Sequence, residues 1–371
     1  MIYFDSAATT LQKPDAVPAA VAGAMSTMTT PGRGDHPAAR LAADLMLRCR
    51  MEAAELFDVP QPDNAVLTTS ATHGLNIAIR SLVRAGDTVV ISGYEHNAVT
   101  RTLADIGGVS CRIVNARLFD PAQMAEGFRR AVDGKVQAVI CTHTSNVFGY
   151  TLPMDDIAGI CRERGVPLVV DAAQSAGIHP VRVKSWGAAC AAMPGHKGLY
   201  GPQGTGLLLC GDGFVPASLL TGGTGSLSRQ QEMPDFLPDR LEAGTQNVHG
   251  AAGLLEGIRF VRTTGLEKIR RRESEVIRVL AEGLKGREDF RVFDDPAGES
   301  SVLSVLPLRM PPETLAGLLA EQGVAVRAGL HCAPLAHRTV GTEETGTLRF
   351  SASVFNTPEE AEAVLRMLEK W

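Results

Sequence analysis

The sequence predicts an α/β protein in which helices cover a mostly parallel central sheet and a smaller α+β domain follows. Continuous apolar runs alternate with helical patterns from about residue 40 to residue 210, as is typical of parallel strands buried on both faces. The 38 glycines and many alanines suit close packing of helices on a sheet. Polar motifs come directly after the apolar runs, at the strand ends where open α/β sheets carry functional loops.

The first half of the chain supplies the strands of this sheet. A helix at 38–57 carries an apolar stripe, and a short strand at 66–69 leads into a helix at 74–83. Further runs are continuously apolar, have the length of buried strands and are separated by helices: 88–92, 136–141, 167–170 and 205–210. The segment 211–247 is rich in Gly, Pro and polar residues and indicates a long functional loop.

The second half of the chain predicts a smaller lobe. Its elements are expected as helices at 251–263, 266–284 and 313–322, and as strands near 291–292, 301–306 and 325–327. The last helix begins after Thr357, with Pro358 in its first turn and Glu360 placed for a capping box.

Charge and apolar pattern exclude several classes of function. The chain has 36 basic and 41 acidic residues, a net charge of -5 and no basic patch, so nucleic acid is not an expected partner. No apolar run approaches the roughly 20 residues that a membrane helix needs. The N-terminus has no basic leader, and we expect a cytoplasmic protein without membrane contact.

The seven cysteines are odd in number and scattered, and no C-x-x-C occurs. This pattern argues against a disulfide framework and against a structural zinc site. Most of them, such as Cys141 and Cys210 at the ends of apolar runs, are expected to be small buried side chains. Cys332 differs because the nearby Gly329 and Pro334 place it in a loop.

An aspartate after an apolar run and a lysine in a glycine-rich turn form the most informative pair. Asp171 follows the run 167–170, and Lys197 lies in the segment 193–206. An enzyme that uses pyridoxal 5'-phosphate (PLP) needs both groups, since the carboxylate keeps the pyridine nitrogen protonated and the lysine holds the cofactor as a Schiff base. A solvated loop lysine and a helix N-cap aspartate are the structural alternative, and the two residues together favour the cofactor.

The order of motifs along essentially the whole chain resembles a known family. These motifs are the segments 3–10, 69–73, 94–98, 144–149, 169–175, 193–206, 242–247, 326–334 and 348–357. In this order they resemble the class V aminotransferase group of fold-type I PLP enzymes, specifically the cysteine desulfurases and selenocysteine lyases. The resemblance implies the fold-type I architecture, PLP as cofactor and L-cysteine or L-selenocysteine as substrate.

Four residues are expected near the cofactor phosphate. Thr72 and His73 open a helix, whose N-terminus suits a phosphate, although a plain N-cap would also explain them. The resemblance places His196 beside the same phosphate. Thr245 resembles a threonine that reaches the phosphate of the neighbouring subunit, which implies a homodimer with shared sites.

Other residues are expected around the pyridine ring and the substrate. The resemblance implies that His96 stacks on the ring and handles protons. Asn146 and Gln174 match a pair that hydrogen-bonds near the phenolic oxygen of the cofactor, and Asn146 is also expected to contact the substrate.

Arg349 matches the arginine that binds the substrate α-carboxylate, for which a guanidinium is well shaped. A surface ion pair is the alternative for Arg349. Arg33 and His36 are expected to line the entrance of the site.

Cys332 is the expected nucleophile. The resemblance implies that it takes sulfur as a persulfide, and its short loop resembles the group II branch, with a selenocysteine lyase-like character. Arg327 and His331 are expected to favour the thiolate electrostatically. A metal site formed by His331, Cys332 and His337 is a rival interpretation, but no second ligand cluster supports it.

Four positions depart from the family pattern. Ser6 stands where asparagine is usual, Pro194 where many members carry a phosphate-binding hydroxyl, and His73 where glutamate is common. Ala352 is unusual for the strand that binds the carboxylate. Pro194, together with the intact motif at 195–206, suggests a separate desulfurase-like branch.

We therefore expect a PLP-dependent cysteine desulfurase that makes L-alanine and an enzyme persulfide, with a sulfur-acceptor protein as a further partner. Selenocysteine lyase, another C–S lyase or an aminotransferase is the alternative within the family, and a non-catalytic scaffold is the alternative outside it. The expected domains are a large PLP-binding domain at 12–250 and a small one formed by 1–11 and 251–371, which carries the Cys332 loop.

Overall fold

The computed structural model describes residues 1–31 and 34–371. The helices are α1 (Ala16–Thr27), α2 (Pro37–Leu56), α3 (Ala71–Leu82), α4 (Asn97–Ile106), α5 (Pro121–Ala131), α6 (Met154–Arg164), α7 (Val183–Trp186), α8 (Val248–Thr264), α9 (Leu266–Leu284), α10 (Pro312–Glu321), α11 (Pro334–Val340) and α12 (Pro358–Leu368). The strands are β1 (Ile2–Tyr3), β2 (Ala65–Thr68), β3 (Thr88–Ser92), β4 (Ser110–Val114), β5 (Val136–Thr142), β6 (Leu168–Asp171), β7 (Cys190–Pro194), β8 (Gly206–Cys210), β9 (Phe290–Phe293), β10 (Val302–Pro307), β11 (Val324–Ala325), β12 (Arg327–Gly329) and β13 (Thr347–Ser351).

The central sheet has seven strands in the order β2-β8-β7-β6-β5-β3-β4. Strands β4, β3, β5, β6 and β7 pair in parallel, whereas β8 is antiparallel to both of its neighbours. The predicted α/β class with a mostly parallel sheet is confirmed. Strand β7 was not recognised in the sequence because its residues Cys-Ala-Ala-Met-Pro include no β-branched or aromatic side chain.

Both faces of this sheet are covered by apolar layers. Neighbouring residues of β5 show this directly, since Val139 and Cys141 belong to one buried cluster and Ala138 and Ile140 to the other. Successive side chains of a strand point to opposite faces, so a continuously apolar strand needs cover on both sides. Polar side chains are therefore left to the ends of the strands, and the candidate site lies at one of these ends.

A second, antiparallel sheet has the order β12-β13-β10-β9, and β1 pairs in parallel with β11 beside it. The strand expected at 325–327 is in fact two short strands, because Val324–Ala325 pairs with β1 and Arg327–Gly329 with β13. Helices α9, α10 and α12 contribute to the apolar core of this part. The capping box at the start of α12, between Thr357 and Glu360, is confirmed.

The predicted domain boundary between 250 and 251 falls inside the first turn of α8. Helix α8 contributes Leu254 and Ile258 to the same buried cluster as the central sheet. The boundary itself stays a prediction. Within the described residues, no helix combines the length and apolarity that crossing a bilayer requires.

The segment 211–247 contains no helix or strand in the part of the chain that the structure describes. Its end is fixed by a buried ion pair, in which the Arg50 guanidinium donates to both carboxylate oxygens of Glu242 at 2.7 and 2.6 Å. The backbone N–H of Leu67 donates to Glu242 as well, at 2.7 Å. Glu242 thereby holds the residues just before Thr245 against α2 and β2.

A buried tyrosine and a buried glutamate join the central sheet to the second core. Tyr200, which follows the Lys197 turn, donates its hydroxyl proton to Glu273 of α9 at 2.9 Å and accepts from the backbone N–H of Val354 at 3.1 Å. Burial raises the pKa of Glu273 to about 8. The carboxyl is therefore largely protonated in the folded protein at neutral pH.

We expect Glu273 to make folding stability depend on pH. Its pKa is about 8 in the folded protein against 4.5 ordinarily, so its contribution is complete below pH 4.5 and is lost as the pH rises towards 8. Glu273→Gln removes this proton linkage. The melting temperature of the wild type minus that of the variant should therefore fall between about pH 5 and pH 8.5 when thermal unfolding is followed by circular dichroism.

The matched control is Glu275→Gln, which changes an exposed glutamate on the same helix. A difference for Glu273→Gln that stays constant across this pH range would contradict the proposed protonation.

Candidate active site

The polar motifs surround one cavity at the carboxyl ends of β5, β6 and β7. The cavity has a volume of about 110 Å³. Seven of the predicted site residues line it, namely Thr72, His96, Asn146, Asp171, Gln174, His196 and Lys197. Their arrangement around one space follows from the parallel sheet, because neighbouring parallel strands end at the same edge. Their individual roles stay predictions.

Asp171, at the end of β6, and Lys197, in the turn after the adjacent β7, both line this cavity. Asp171 ends β6, is 2% exposed and accepts a hydrogen bond from the backbone N–H of Ala173 at 2.9 Å. Burial raises its pKa, while that N–H and the nearby Lys197 lower it. Burial lowers the pKa of Lys197 to about 8, and the Asp171 charge acts in the opposite direction.

Close backbone packing fixes the turn that carries Lys197. Gly177 has a φ of +87°, and a Cβ there would lie 2.0 Å from the carbonyl oxygen of Gly198. A Cβ on Gly198 would lie 2.4 Å from the carbonyl oxygen of Ala176. Only glycines fit at this contact, so the lysine is presented by a turn that is packed against the loop after Asp171.

His96 is the N-cap of α4 and a neutral base. Its Nδ1 accepts from the backbone N–H of Ala98 at 3.0 Å, which leaves the proton of the neutral ring on Nε2. Burial, followed by the charges of Lys197, Arg101 and Arg349, lowers its pKa to about 4. At neutral pH the ring is therefore uncharged and can stack on a flat group in the cavity.

The first turn of α3 forms one end of the cavity. Ser70 caps the helix by accepting from the backbone N–H of His73 at 3.1 Å, and both Ser70 and Thr72 line the cavity. The side chain of His73 points elsewhere, since its Nδ1 lies 3.3 Å from Thr69 Oγ1 and it borders a neighbouring cavity together with Thr245. Ser70 is a site residue that the sequence reasoning missed.

The His196 ring adds a further polar atom at this cavity. Its Nδ1 is buried and has no hydrogen-bond partner among residues 1–31 and 34–371. Its carbonyl oxygen accepts from Lys13 Nζ at 3.1 Å. Lys13 was also missed in the sequence, because it lies far from His196 along the chain and in no recognisable motif.

Two amide side chains tie other segments to the cavity wall. Gln174 donates through Nε2 to the carbonyl oxygen of Ala7 at 2.9 Å, and Asn146 donates through Nδ2 to that of His331 at 2.7 Å. The first bond holds the N-terminal segment, and the second holds the loop of Cys332.

Cys332 is exposed and lies in a constrained loop. His331 and Cys332 both have positive φ, at 49° and 57°. The Cys332 carbonyl accepts from the backbone N–H of Asn97 at 2.8 Å, directly beside His96. Cys332 also borders an open groove that shares Thr72 and His96 with the candidate cavity. The thiol is thus held next to the site by backbone contacts.

The expectation that His331 favours a thiolate by its charge is wrong. Burial lowers the pKa of this ring to about 2, so it is neutral at physiological pH. Its Nε2 lies 3.2 Å from the carbonyl oxygen and from the hydroxyl of Thr347. Among the described residues no group of three His, Cys, Asp or Glu side chains has metal-site geometry.

Arg349 is buried, which rules out the alternative of a surface ion pair. It lies on β13 at 2% side-chain exposure, and donates to the carbonyl oxygen of Asn146 at 2.8 Å and to Asp5 Oδ1 at 2.9 Å. Its Nε is buried and has no partner within the described part of the chain. A buried donor without a partner is the kind of group that a bound anion such as a carboxylate would satisfy.

His73, Cys332 and Arg349 do not line this cavity, and three more predicted residues lie away from it or outside the described residues. His36 is exposed and caps α2, with its Nδ1 3.4 Å from the backbone nitrogen of Ala39. Thr245 is exposed at the end of the long loop. Arg33 lies outside the described residues.

The donor set of the cavity fits PLP. Asp171 offers a buried carboxylate to a ring nitrogen, Lys197 an amine to the aldehyde, and the α3 N-terminus with Thr72 a cradle for the phosphate. The unpartnered Nδ1 of His196 is a further polar atom at the cavity. Pro194 lines the same cavity and has no hydroxyl to offer to a phosphate.

Comparison with known proteins agrees with this geometry. A family model described as Aminotransferase class-V matches residues 2–364. Probable cysteine desulfurases of Methanothermobacter thermautotrophicus and Pyrococcus abyssi are each 31% identical to the chain, and each match covers 100% of this chain and 94% of the relative. The apo structure of a cysteine desulfurase from Thermococcus onnurineus NA1 is similar at a TM-score of 0.90 and 28% identity, covering 100% of this chain and 94% of that one.

We expect the Lys197 amine to titrate near pH 8 in protein freed of any bound aldehyde, because burial disfavours its charged form. Trinitrobenzenesulfonate reacts only with neutral amines, so modification of the Lys197 peptide, quantified by mass spectrometry, should have its pH midpoint near 8.

Asp171→Asn should move this midpoint to lower pH, since it removes the charge that raises the pKa of the amine. A midpoint close to the ordinary lysine value of 10.5 would refute the assignment.

Proposed function

The chain belongs to the class-V aminotransferase family, and on that premise we propose that it is a PLP-dependent cysteine desulfurase, which converts L-cysteine into L-alanine and keeps the sulfur on Cys332 as a persulfide. The observation that carries this proposal is the exposed Cys332 thiol, which a short loop holds beside the cavity of Asp171, His96 and Lys197. An aminotransferase needs no such thiol.

PLP supplies, when bound, an electron sink for negative charge that develops at the substrate Cα. The residues that would hold it are Lys197 at the aldehyde, Asp171 at the ring nitrogen, His96 at the ring face, Gln174 near the phenolic oxygen, and Thr72 with the α3 N-terminus at the phosphate.

Lys197 and His96 handle protons in this proposal. The pKa of Lys197 lies near 8, so a useful fraction of its amine is neutral at physiological pH and its Nζ can take the Cα proton. His96 is neutral, and its Nε2–H can donate to a group in the cavity because Nδ1 is already bound to Ala98. The two groups thus offer an acceptor and a donor in one cavity.

Arg349 and Cys332 act on the two ends of the substrate. The free Nε–H of Arg349 binds the α-carboxylate and orients the amino acid. The Cys332 thiolate attacks the substrate sulfur, an S–S bond forms, and the C–S bond breaks with its electron pair moving to Cβ. Protonation of Cβ gives alanine, so that L-cysteine and the Cys332 thiol become L-alanine and the Cys332 persulfide.

The groove at Cys332 suits transfer of this sulfur to an acceptor protein. It is open, has a volume of about 440 Å³ and is bordered by Arg80 and Arg101 from α3 and α4. An acceptor thiol would reach the persulfide from this side without entering the cavity of Lys197. The identity of the acceptor and the cytoplasmic location stay predictions.

Substitution of the proposed nucleophile tests the function. The wild type should absorb visible light when loaded with PLP and should form alanine and persulfide from L-cysteine. Cys332→Ala should keep the absorbance and lose about a hundred-fold or more of its alanine formation, because no other group takes the sulfur. Alanine is measured by chromatography, and the persulfide by mass spectrometry of the Cys332 peptide.

Cys111→Ala is the matched control, since Cys111 is also exposed but lies on the edge strand β4. A Cys332→Ala variant that still forms alanine from L-selenocysteine but not from L-cysteine would favour the selenocysteine lyase alternative. Unchanged desulfuration of L-cysteine by this variant would reject the proposal, and failure to bind PLP would reject its premise.

We also propose a homodimer in which Thr245 completes the site of the other subunit. Thr245 is exposed on a loop end that the Arg50–Glu242 ion pair fixes, as a contact to a partner requires. Light scattering should give about twice the chain mass of 39.3 kDa.

Hybrid dimers test the sharing of sites. A dimer of one Lys197→Ala subunit and one Thr245→Val subunit contains one intact site only if Thr245 acts across the interface. The hybrid, purified with two different tags, should then recover about half of the wild-type activity at low PLP concentration. No recovery above the Thr245→Val homodimer would place Thr245 in the site of its own subunit.

A further inference from the structure

Three charged side chains form a cluster around the Asp5 carboxylate. The Asp5 carboxylate lies between two guanidinium groups, with Oδ1 2.9 Å from Arg349 and Oδ2 3.2 Å from Arg327. Arg349 is 2% and Asp5 14% exposed, whereas Arg327 is 48% exposed. We call these residues the Asp5 cluster.

The fold forces the two arginines together. Arg327 of β12 and Arg349 of β13 are directly opposite in the antiparallel register, so their side chains lie on the same face. Like charges in this position repel. Asp5 reaches them because it forms a β-bridge with Ser351 at the end of β13. The N-terminal segment thus inserts one negative charge between two positive ones.

The cluster acts on the reacting groups. The charges of Arg349 and Arg327 lower the pKa of Lys197, and the charge of Asp5 raises it. The buried Nε of Arg349 has no partner within the described residues. Two guanidinium charges against one carboxylate leave one net positive charge beside a free N–H.

We propose that Asp5 is a specificity-determining residue, which holds the amino-acid site at one net positive charge. This charge matches the single carboxylate of an amino acid with a neutral side chain, and it leaves the second negative charge of an acidic amino acid uncompensated. The inference rests on the proposed function in one respect, namely that Arg349 receives the substrate carboxylate.

Binding of a neutral and an acidic amino acid to charge variants tests this inference. Isothermal titration calorimetry on the PLP-loaded protein gives Kd for L-alanine and for L-aspartate. Asp5→Asn raises the net charge of the cluster to two, and the ratio of Kd for L-alanine to Kd for L-aspartate should rise roughly ten-fold. Arg327→Gln lowers the net charge to zero, and the ratio should fall by a similar factor.

The double variant Asp5→Asn/Arg327→Gln restores one net charge and should return the ratio to within about three-fold of the wild type. The control Asp133→Asn removes the carboxylate of a surface ion pair with Arg112 and should leave the ratio unchanged. Visible absorbance and thermal unfolding verify that each variant is folded and loaded.

A merely structural role of Asp5 predicts weaker binding of both amino acids with an unchanged ratio, and this result would overturn the inference. If Asp5→Asn does not fold, Arg327→Gln decides, because Arg327 is half exposed; an unchanged ratio there also overturns it. Formation of alanine from L-cysteine is measured in parallel. A charge-dependent ratio in a protein that forms no alanine would sink the proposed function and leave this inference standing.

Discussion

The arrangement of the site depends on the hydrogen bonds of the buried Arg349 guanidinium. Arg349 belongs to the second sheet, yet its partners are the carbonyl oxygen of Asn146 beyond the central sheet and Asp5 of the N-terminal segment. A buried charge that loses its partner costs about 3–5 kcal/mol, so these three segments are held in one geometry. Because Asn146 also binds the carbonyl of His331, the same contact reaches the loop of Cys332.

Burial sets the charge state of the site more than any single neighbour does. It lowers the pKa of His96 to about 4 and of His331 to about 2, so both rings are neutral at physiological pH. It lowers the pKa of Lys197 to about 8, so only a minor fraction of this amine is neutral there. It also raises the pKa of Glu95, which lies near Asp171, to about 8. At neutral pH Glu95 is therefore mostly protonated.

The sequence predicted those parts of the fold and site that depend on local patterns. Apolar runs revealed most strands of the central sheet, and the motif order placed Asp171 and Lys197 at one cavity. Strand β7 was missed because burial between two neighbours, rather than its own residues, makes it a strand. Ser70 was missed although it lies within the motif 69–73, where it caps α3. Lys13 was missed because only a tertiary contact brings it to the His196 carbonyl. The charge expected on His331 was wrong for the same reason, since its burial is a property of the fold.

The loop of Cys332 is held in a strained backbone conformation by contacts from two other segments. Positive φ angles at the non-glycine residues His331 and Cys332 cost on the order of 1–3 kcal/mol each and persist only where other contacts over-determine them. Here those contacts are the N–H of Asn97 on the Cys332 carbonyl and the Asn146 amide on the His331 carbonyl. Both donors belong to segments that also carry site residues, since Asn97 follows His96 and Asn146 lines the cavity. The contacts of Asn97 and Asn146 therefore offset the strain of the loop. The thiol keeps its position beside the cavity only while these contacts are intact.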